Sequence, residues 1–440
     1  MDTLRSRGLP AREPEPGMRN PLSQPGVVWT LVNPEDLAAA TRVLALRRTD
    51  PGGLFSLTAE RFGPVTAWCA LGDNVIGAAN WNRLTFAEQY QAVSERAGAF
   101  IASGMLYLRI SGSGAGTMLD RLAPRTVSDM SIGTARFVLF TTPAGTIDEE
   151  AVVLRTAPDT FLLSCGGGKR PGWLESAARL HPGVAVEEGT HGSFNIKGPG
   201  RLDAVLRIVN KLDAEAVANL APFEHCEIRS PEGDPVRIVK TIIGHEVWAR
   251  PEILRRMWQR VLDDYPRTVP CGWDLLNTYR MECTDIAFAL YPVDLHAGIT
   301  LREANYRWMV KAGEKHDYVG RSSRLSDAGP RLRLRGLEAD LAVPAPAVGE
   351  EITDKFGVFQ GHVTSAAHSP QLGRPLAFGH LHPELGPGSS VVIDGTAWTV
   401  RSLPILSCPS RRHRQAPAPT ADLSPPLPHD RDPQRLLEPH

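Results

Sequence analysis

The chain has 440 residues, too many for one small core and enough for two or three domains. Its formal net charge of −1 comes from interspersed acids and bases, which argues against a protein that holds nucleic acid by charge. Six cysteines without a CxxC pair argue against a zinc site or a disulfide framework and for a reducing cytoplasm; no apolar run approaches the roughly 18 residues of a membrane span, and the first residues lack the apolar core of a secretory signal.

Residues 1–25, rich in Arg, Pro and Glu, read as a flexible arm. Asn33 and Pro34 suit the N-cap and first position of a helix. Residues 65–79 are mixed, with Gly72 and Gly77 as breakers. Phe86, Tyr90 and Val93 recur at i, i+4 and i+7, which predicts a helix over 86–97 that Gly98 ends. A strand follows over 99–110 and a short helix over 114–122. Residues 137–155 predict two strands joined at Pro143-Ala144-Gly145. Asp148, Glu149 and Glu150 open the second of them. Strict alternation places Asp148 and Glu150 on one face and Glu149 on the other. Three acids between two apolar strands either blunt a solvent edge or line a cavity.

A strand over 161–165 comes next. The glycines 166–168 and Lys169 lack the GxxxxGK[ST] spacing of a phosphate loop and read as a plain loop. Helices are expected over 171–180, 201–211 and 253–262. Beyond Gly329-Pro330 the pattern turns all-β, with strands over 332–337, 358–363, 375–380, 389–393 and 396–401. Residues 409–440 are proline-rich and charged and read as a disordered tail.

A set of short motifs holds its order from about residue 80 to 404. It comprises Gly145-Thr146-Ile147-Asp148-Glu149, the FNIKGPG of 194–200, Leu220-Ala221-Pro222-Phe223, Gly244 with Glu246, and Arg280 with Glu282. Thr300, Glu303 and Trp308 follow, then Asp317-Tyr318-Val319-Gly320-Arg321. The most specific motif is Gly361-His362-Val363-Thr364-Ser365 with Ser369-Pro370-Gln371-Leu372-Gly373. This order resembles the aminomethyltransferase (glycine cleavage T-protein) family.

The resemblance implies an α+β fold of two α+β pieces around a central folate cavity, plus a C-terminal β-barrel. It places a folate-binding part at 26–328 and the barrel at 329–408, between the arm of 1–25 and the tail of 409–440. It implies tetrahydrofolate as cofactor, with Asp148 as catalytic acid or base and Phe137, Asp148, Glu303 and Trp308 as folate-binding residues. No metal is implied. Two family contacts are missing: Ile242 stands where a glutamate meets the pterin, and Leu276 where an arginine grips folate. An isoleucine cannot accept the pterin amino hydrogens. His245 reads as a structural histidine.

These losses favour a methyltransferase or demethylase that moves a methyl group between tetrahydrofolate and an O, N or S atom of a small molecule. A lipoyl-protein aminomethyltransferase of glycine cleavage and a non-catalytic folate-binding protein remain as alternatives. The expected partner is a small-molecule methyl donor or acceptor, with no nucleic acid and no membrane.

Overall fold

In the computed structural model, residues 29–32, 50 and 52–406 are described, apart from 72–73, 167–171, 190, 283–287, 311–316, 324–328 and 340–342. The helix expected after Asn33, residues 167–169 of the glycine loop, the N-terminal arm and the C-terminal tail fall outside them. No helix among the described residues is long and apolar enough to cross a membrane.

The strand expected over 99–110 is two strands, Ala97–Ile101 and Leu106–Ser111, which join different sheets. A turn at Ser103-Gly104 separates them. The chain leaves the first sheet there and returns at the strand Gly192–Lys197, which pairs with Ala97–Ile101. A whole five-stranded antiparallel sheet is therefore inserted between two neighbouring strands of a six-stranded one. The five-stranded order is Ala135–Thr141, Ile147–Ala157, Thr160–Cys165, Leu106–Ser111, Ala185–Glu188. The six-stranded order is Glu224–Arg229, Pro235–Lys240, Gly244–Ala249, Gly192–Lys197, Ala97–Ile101, Thr268–Cys271.

The five- and six-stranded sheets each pack helices against one face. Beside the six-stranded sheet, the helix Pro251–Asp263 opens on Pro251 and buries Ile253, Leu254, Met257, Trp258, Val261 and Leu262. Phe100, Phe194 and Ile238 meet it from the strands. The helix Phe86–Glu95 packs on the same face, and its N-cap Thr85 accepts from the Glu88 amide. Helix Ala115–Leu122 covers Leu108, Val153 and Phe161 of the other sheet. The uncovered faces meet through Tyr107, Leu154, Val239 and Trp248, with the Tyr107 and Trp248 rings edge to face at 5.2 Å.

Arg333–Ala339, Glu351–Thr353, Phe359–Ser369, Arg374–Leu381, Ser390–Ile393 and Thr396–Arg401 close into a six-stranded barrel. The sequence pattern shows five of these. Glu351–Thr353 spans three residues, too few for alternation to register. The barrel core is Leu337, Val363, Ala377, Val391, Trp398 and Val400.

Charged side chains dock the barrel. Arg280, on the helix Trp273–Glu282, donates to Asp294 at 2.7 Å and to the Ser365 hydroxyl at 2.6 Å. Asp294 also accepts from Thr364 Oγ1 at 2.6 Å, Ser365 Oγ at 2.7 Å and the Leu290 amide at 2.9 Å. Arg280 and Asp294 are 3% and 0% exposed, so no water substitutes for these partners. Burial alone pushes the Asp294 carboxyl up; Arg280, Thr364, the Leu290 amide and Ser365 outweigh it and hold the group below the usual carboxylate range. Glu282 takes the Ser369 hydroxyl and, at 2.8 Å, the Tyr90 hydroxyl. The Thr-Ser and Ser-Pro halves of the barrel motif are thus its seat on the rest of the chain.

Asp294→Asn removes the only full negative charge bonded to Arg280 among these contacts. We expect a loss of about 3–5 kcal/mol in urea denaturation, the range for a broken buried pair. Glu187→Gln, at the exposed Arg109–Glu187 pair, should cost under about 1 kcal/mol. Equal effects at the two pairs would show that the buried pair does not dock the barrel.

Candidate functional site

A cavity lies among the two sheets, the helix Trp273–Glu282 and the segment 288–310. One wall is the predicted hairpin. Gly145 turns it at φ +80°, a conformation that a side chain disfavours. Its tip is held by a 2.7 Å bond between the Thr142 and Thr146 hydroxyls and by the Ile147 amide, which donates to the Ile299 carbonyl at 2.8 Å.

The pairing slips at the acids. Thr141 faces Ile147, but Phe140 faces Glu149, so Asp148 is the extra residue of a β-bulge. Strict alternation, which put Asp148 and Glu150 on one face, fails at Asp148, the residue that the family resemblance implied as catalytic. Past the bulge, alternation resumes: the Glu150 and Val152 side chains face the cavity, and Ala151, which also touches the cavity, and Val153 join the helix-side core. Asp148 is half-buried and does not line the cavity. Burial raises its pKa. Of the three hairpin acids, the one that lines the cavity is Glu150.

Glu150 is 5% exposed. The Tyr291 amide donates to its Oε1 at 3.3 Å, and Oε2 has no hydrogen-bond partner among the described residues. Burial, then the adjacent Glu149 carboxylate, push its pKa to about 8, although Tyr291 and Arg280 oppose them. A carboxyl near 8 holds a proton at neutral pH and can still release it, which is what acid–base chemistry on a bound ligand needs.

Phe137 and Trp308 stand on the cavity wall, with Tyr306 between them. The ring centroids are 6.0 Å apart for Phe137 and Tyr306 and 6.1 Å for Tyr306 and Trp308. Arg125, which the sequence did not single out, lies 5.5 Å from the Trp308 ring centre and donates to the Phe137 carbonyl at 3.2 Å. Glu303 is a correction. It is 1% exposed, does not line the cavity, and spends its oxygens on Arg331 and Thr300. Burial raises its pKa, but the Arg331 contacts and the Thr300 amide outweigh that and hold it low. With Glu303 N donating to Thr300 Oγ1, the pair makes the reciprocal bonds of a capping box, here closing the turn at 300–305. Thr-x-x-Glu is a folding signal here, and Glu303 is withdrawn as a ligand contact.

Ile242 and Leu276 both line the cavity, so the missing polar contacts leave apolar wall. On the strand Gly192–Lys197, Ser193, Asn195 and Lys197 face the cavity while Phe194 and Ile196 face the helices. Glu246 joins them from the neighbouring strand. His245 points the other way, is 1% exposed, and burial followed by Arg201 and Lys240 lowers its pKa to about 4.

The sequence profile described as the GCVT N-terminal domain matches residues 64–314, more than half of the chain. The chain is similar to the aminomethyltransferase of Bacillus subtilis (strain 168), with 26% identity over 316 residues, covering 69% of this chain and 85% of that protein. It is similar to the aminomethyltransferase of Saccharopolyspora erythraea, with 27% identity over 329 residues, covering 71% and 86%. Its fold matches the glycine cleavage system aminomethyltransferase T from Bartonella henselae with a TM-score of 0.71 at 20% identity, over 80% of this chain and 97% of that one.

The Glu150 shift sets a pH dependence. Its carboxyl titrates near 4.5 when unfolded and near 8 when folded. The folded state holds the proton more tightly, so the group's contribution is complete below about pH 4.5 and is lost as pH rises through 8. Glu150→Gln removes this loss. The stability of the variant relative to the parent should rise by roughly 2–4 kcal/mol between pH 5 and 8.5 in urea titrations. Parallel stability curves would show that Glu150 is ionised throughout.

Proposed function

This chain belongs to the family of the GCVT N-terminal domain, whose aminomethyltransferases pass a one-carbon unit to tetrahydrofolate, and we infer that it is a tetrahydrofolate-dependent one-carbon transferase with Glu150 as its acid–base group. Glu150 carries the reading: a nearly buried carboxyl on the cavity wall, with a raised pKa and one oxygen without a partner.

The residues present fit a folate. Phe137, Tyr306 and Trp308 offer aromatic surface to a flat ring, and stacking removes ring faces from water. Among the described residues, Glu150 Oε2 and Asn195 Oδ1 are buried oxygens with no hydrogen-bond partner, and a ligand bearing N–H groups would satisfy them. Tetrahydrofolate supplies a secondary amine that takes the one-carbon unit and sheds a proton. Glu150, once it has released its own proton, would accept that one, and in the return direction would donate it, contributing on the order of 10²–10⁴-fold in rate. Glu149 stands beside it and raises its proton affinity. Phe137 and Trp308 orient the ring, and the apolar wall at Ile242 and Leu276 keeps water from the reacting groups.

The names of the relatives put an aminomethyl donor first, and the lipoyl-protein substrate is the alternative the family resemblance implies. One observation favours a second reading. Ile242 and Leu276 line the cavity where the T-protein pattern has a glutamate and an arginine, which suits a methyl group leaving an O, N or S atom of a small molecule.

Two assays separate the donors. Methylene-tetrahydrofolate formed with lipoylated carrier protein, glycine decarboxylase and glycine assigns the first. Methyl-tetrahydrofolate formed from a panel of methoxy-aromatic, methylthio and N-methyl compounds assigns the second. In whichever assay turns over, Glu150→Gln should lower the rate about 10²–10⁴-fold with little change in folate affinity, and Asp148→Asn should change it far less. The reverse order would return the role to Asp148. Folate binding without turnover in either assay would contradict the transferase reading.

A further inference from the structure

The loss of the acceptor at Ile242 raises the question of what reads the ligand's hydrogen-bonding edge. The strand Gly192–Lys197 and its neighbour Gly244–Ala249 supply an answer. Alternation turns Ser193, Asn195 and Lys197 into the cavity, and the register sets Asn195 directly opposite Glu246. Directly opposed side chains stand about 5 Å apart at Cβ. Asn195 Oδ1 is buried with no hydrogen-bond partner among the described residues. Glu246 accepts from Trp248 Nε1 at 2.9 Å, and a carboxylate has further lone pairs to offer. Ser193 accepts from the Tyr107 hydroxyl at 2.6 Å, which fixes that end of the row. Lys197, 4% exposed, adds a cation two residues along the same face.

The row therefore presents an amide oxygen and a carboxylate side by side, then an ammonium. The complementary ligand edge has two N–H donors next to one carbonyl. That is the edge of a 2-amino-4-oxopyrimidine ring: the exocyclic amine, the ring N–H and the 4-oxo group. Tetrahydrofolate carries such an edge on its pterin. We propose that Asn195 and Glu246, with Lys197 beside them, form the subsite that reads this edge, replacing the acceptor that Ile242 cannot provide. The assignment rests on the folate reading of the cavity. It separates two duties on two strands: the row on Gly192–Lys197 holds the ring, and Glu150 on Ile147–Ala157 handles the proton. Asn195 can be altered without touching Glu150.

The test is calorimetry on the full-length chain with 5-formyltetrahydrofolate, p-aminobenzoylglutamate (which lacks the pterin) and guanosine (which shares the edge but lacks the tail). Asn195→Leu keeps the side-chain size and removes the acceptor. It should weaken 5-formyltetrahydrofolate about 10- to 100-fold, the order expected when a buried hydrogen bond is lost, and leave p-aminobenzoylglutamate unchanged. Without ligand the variant should melt no lower than the parent, because the unsatisfied oxygen is gone. On the unaltered chain, a 2-deamino-2-methyl tetrahydrofolate should show the same 10- to 100-fold deficit, a readout that does not depend on how any variant folds.

Unchanged 5-formyltetrahydrofolate affinity in Asn195→Leu, equal losses for both folate probes, or full affinity for the deamino compound would each overturn the subsite while leaving the folate reading intact. A chain that binds no reduced folate but holds guanosine in an Asn195-dependent way would overturn the folate reading and keep the edge chemistry. A chain that binds neither would overturn both.

Discussion

A carboxylate taken out of water with one oxygen unsatisfied is costly, and the centre of this fold is built around keeping one there. Glu150 sits on a strand whose tip is clamped by Thr142, Thr146 and the Ile299 carbonyl. The bulge at Asp148 sets which of three successive acids faces inward. The cost appears as a pKa near 8. A group so placed is disfavoured on stability grounds alone, and such placement is typical of residues retained for chemistry.

Arg280 links that carboxyl to the barrel. It lines the cavity, draws the Glu150 pKa down in part, and bonds to Asp294 and Ser365 in the seat of the barrel. One guanidinium therefore serves both the docking of the barrel and the electrostatics of the site. The paired arginine and aspartate are nearly fully buried, so their geometry is set by hydrogen bonds and does not slide. Leu334, on the barrel strand Arg333–Ala339, and Leu403, just past the strand Thr396–Arg401, carry the link further, since both line the cavity. The barrel is a wall of the site as well as an appended unit.

Much of this was legible in the sequence, and the misses have physical causes. The helix expected over 253–262 was legible through its sustained apolar face, and the Thr364-Ser365 and Ser369-Pro370 motif marked the barrel before its hydrogen bonds were known. The hairpin was legible, but the inward acid was not, because alternation carries no information about a bulge. Glu303 looked like a ligand contact because its spacing from Thr300 fits a motif; the spacing encodes a capping box, a local backbone requirement. The span 99–110 reads as one β-rich run, yet the chain changes sheets inside it at Ser103-Gly104. Asn195 gave no signal at all. An unsatisfied oxygen exists only once the strand is folded against its neighbours, and no residue pattern records it.

The account stands on the protonation state of one group, and difference infrared spectroscopy across a pH titration reads it directly. The ligand-free chain should show a protonated carboxyl band that disappears around pH 8. The band should be absent in Glu150→Gln and retained in Asp148→Asn. A chain with no carboxyl titrating above about pH 6, or a band lost in Asp148→Asn and kept in Glu150→Gln, would contradict the placement of the site at Glu150.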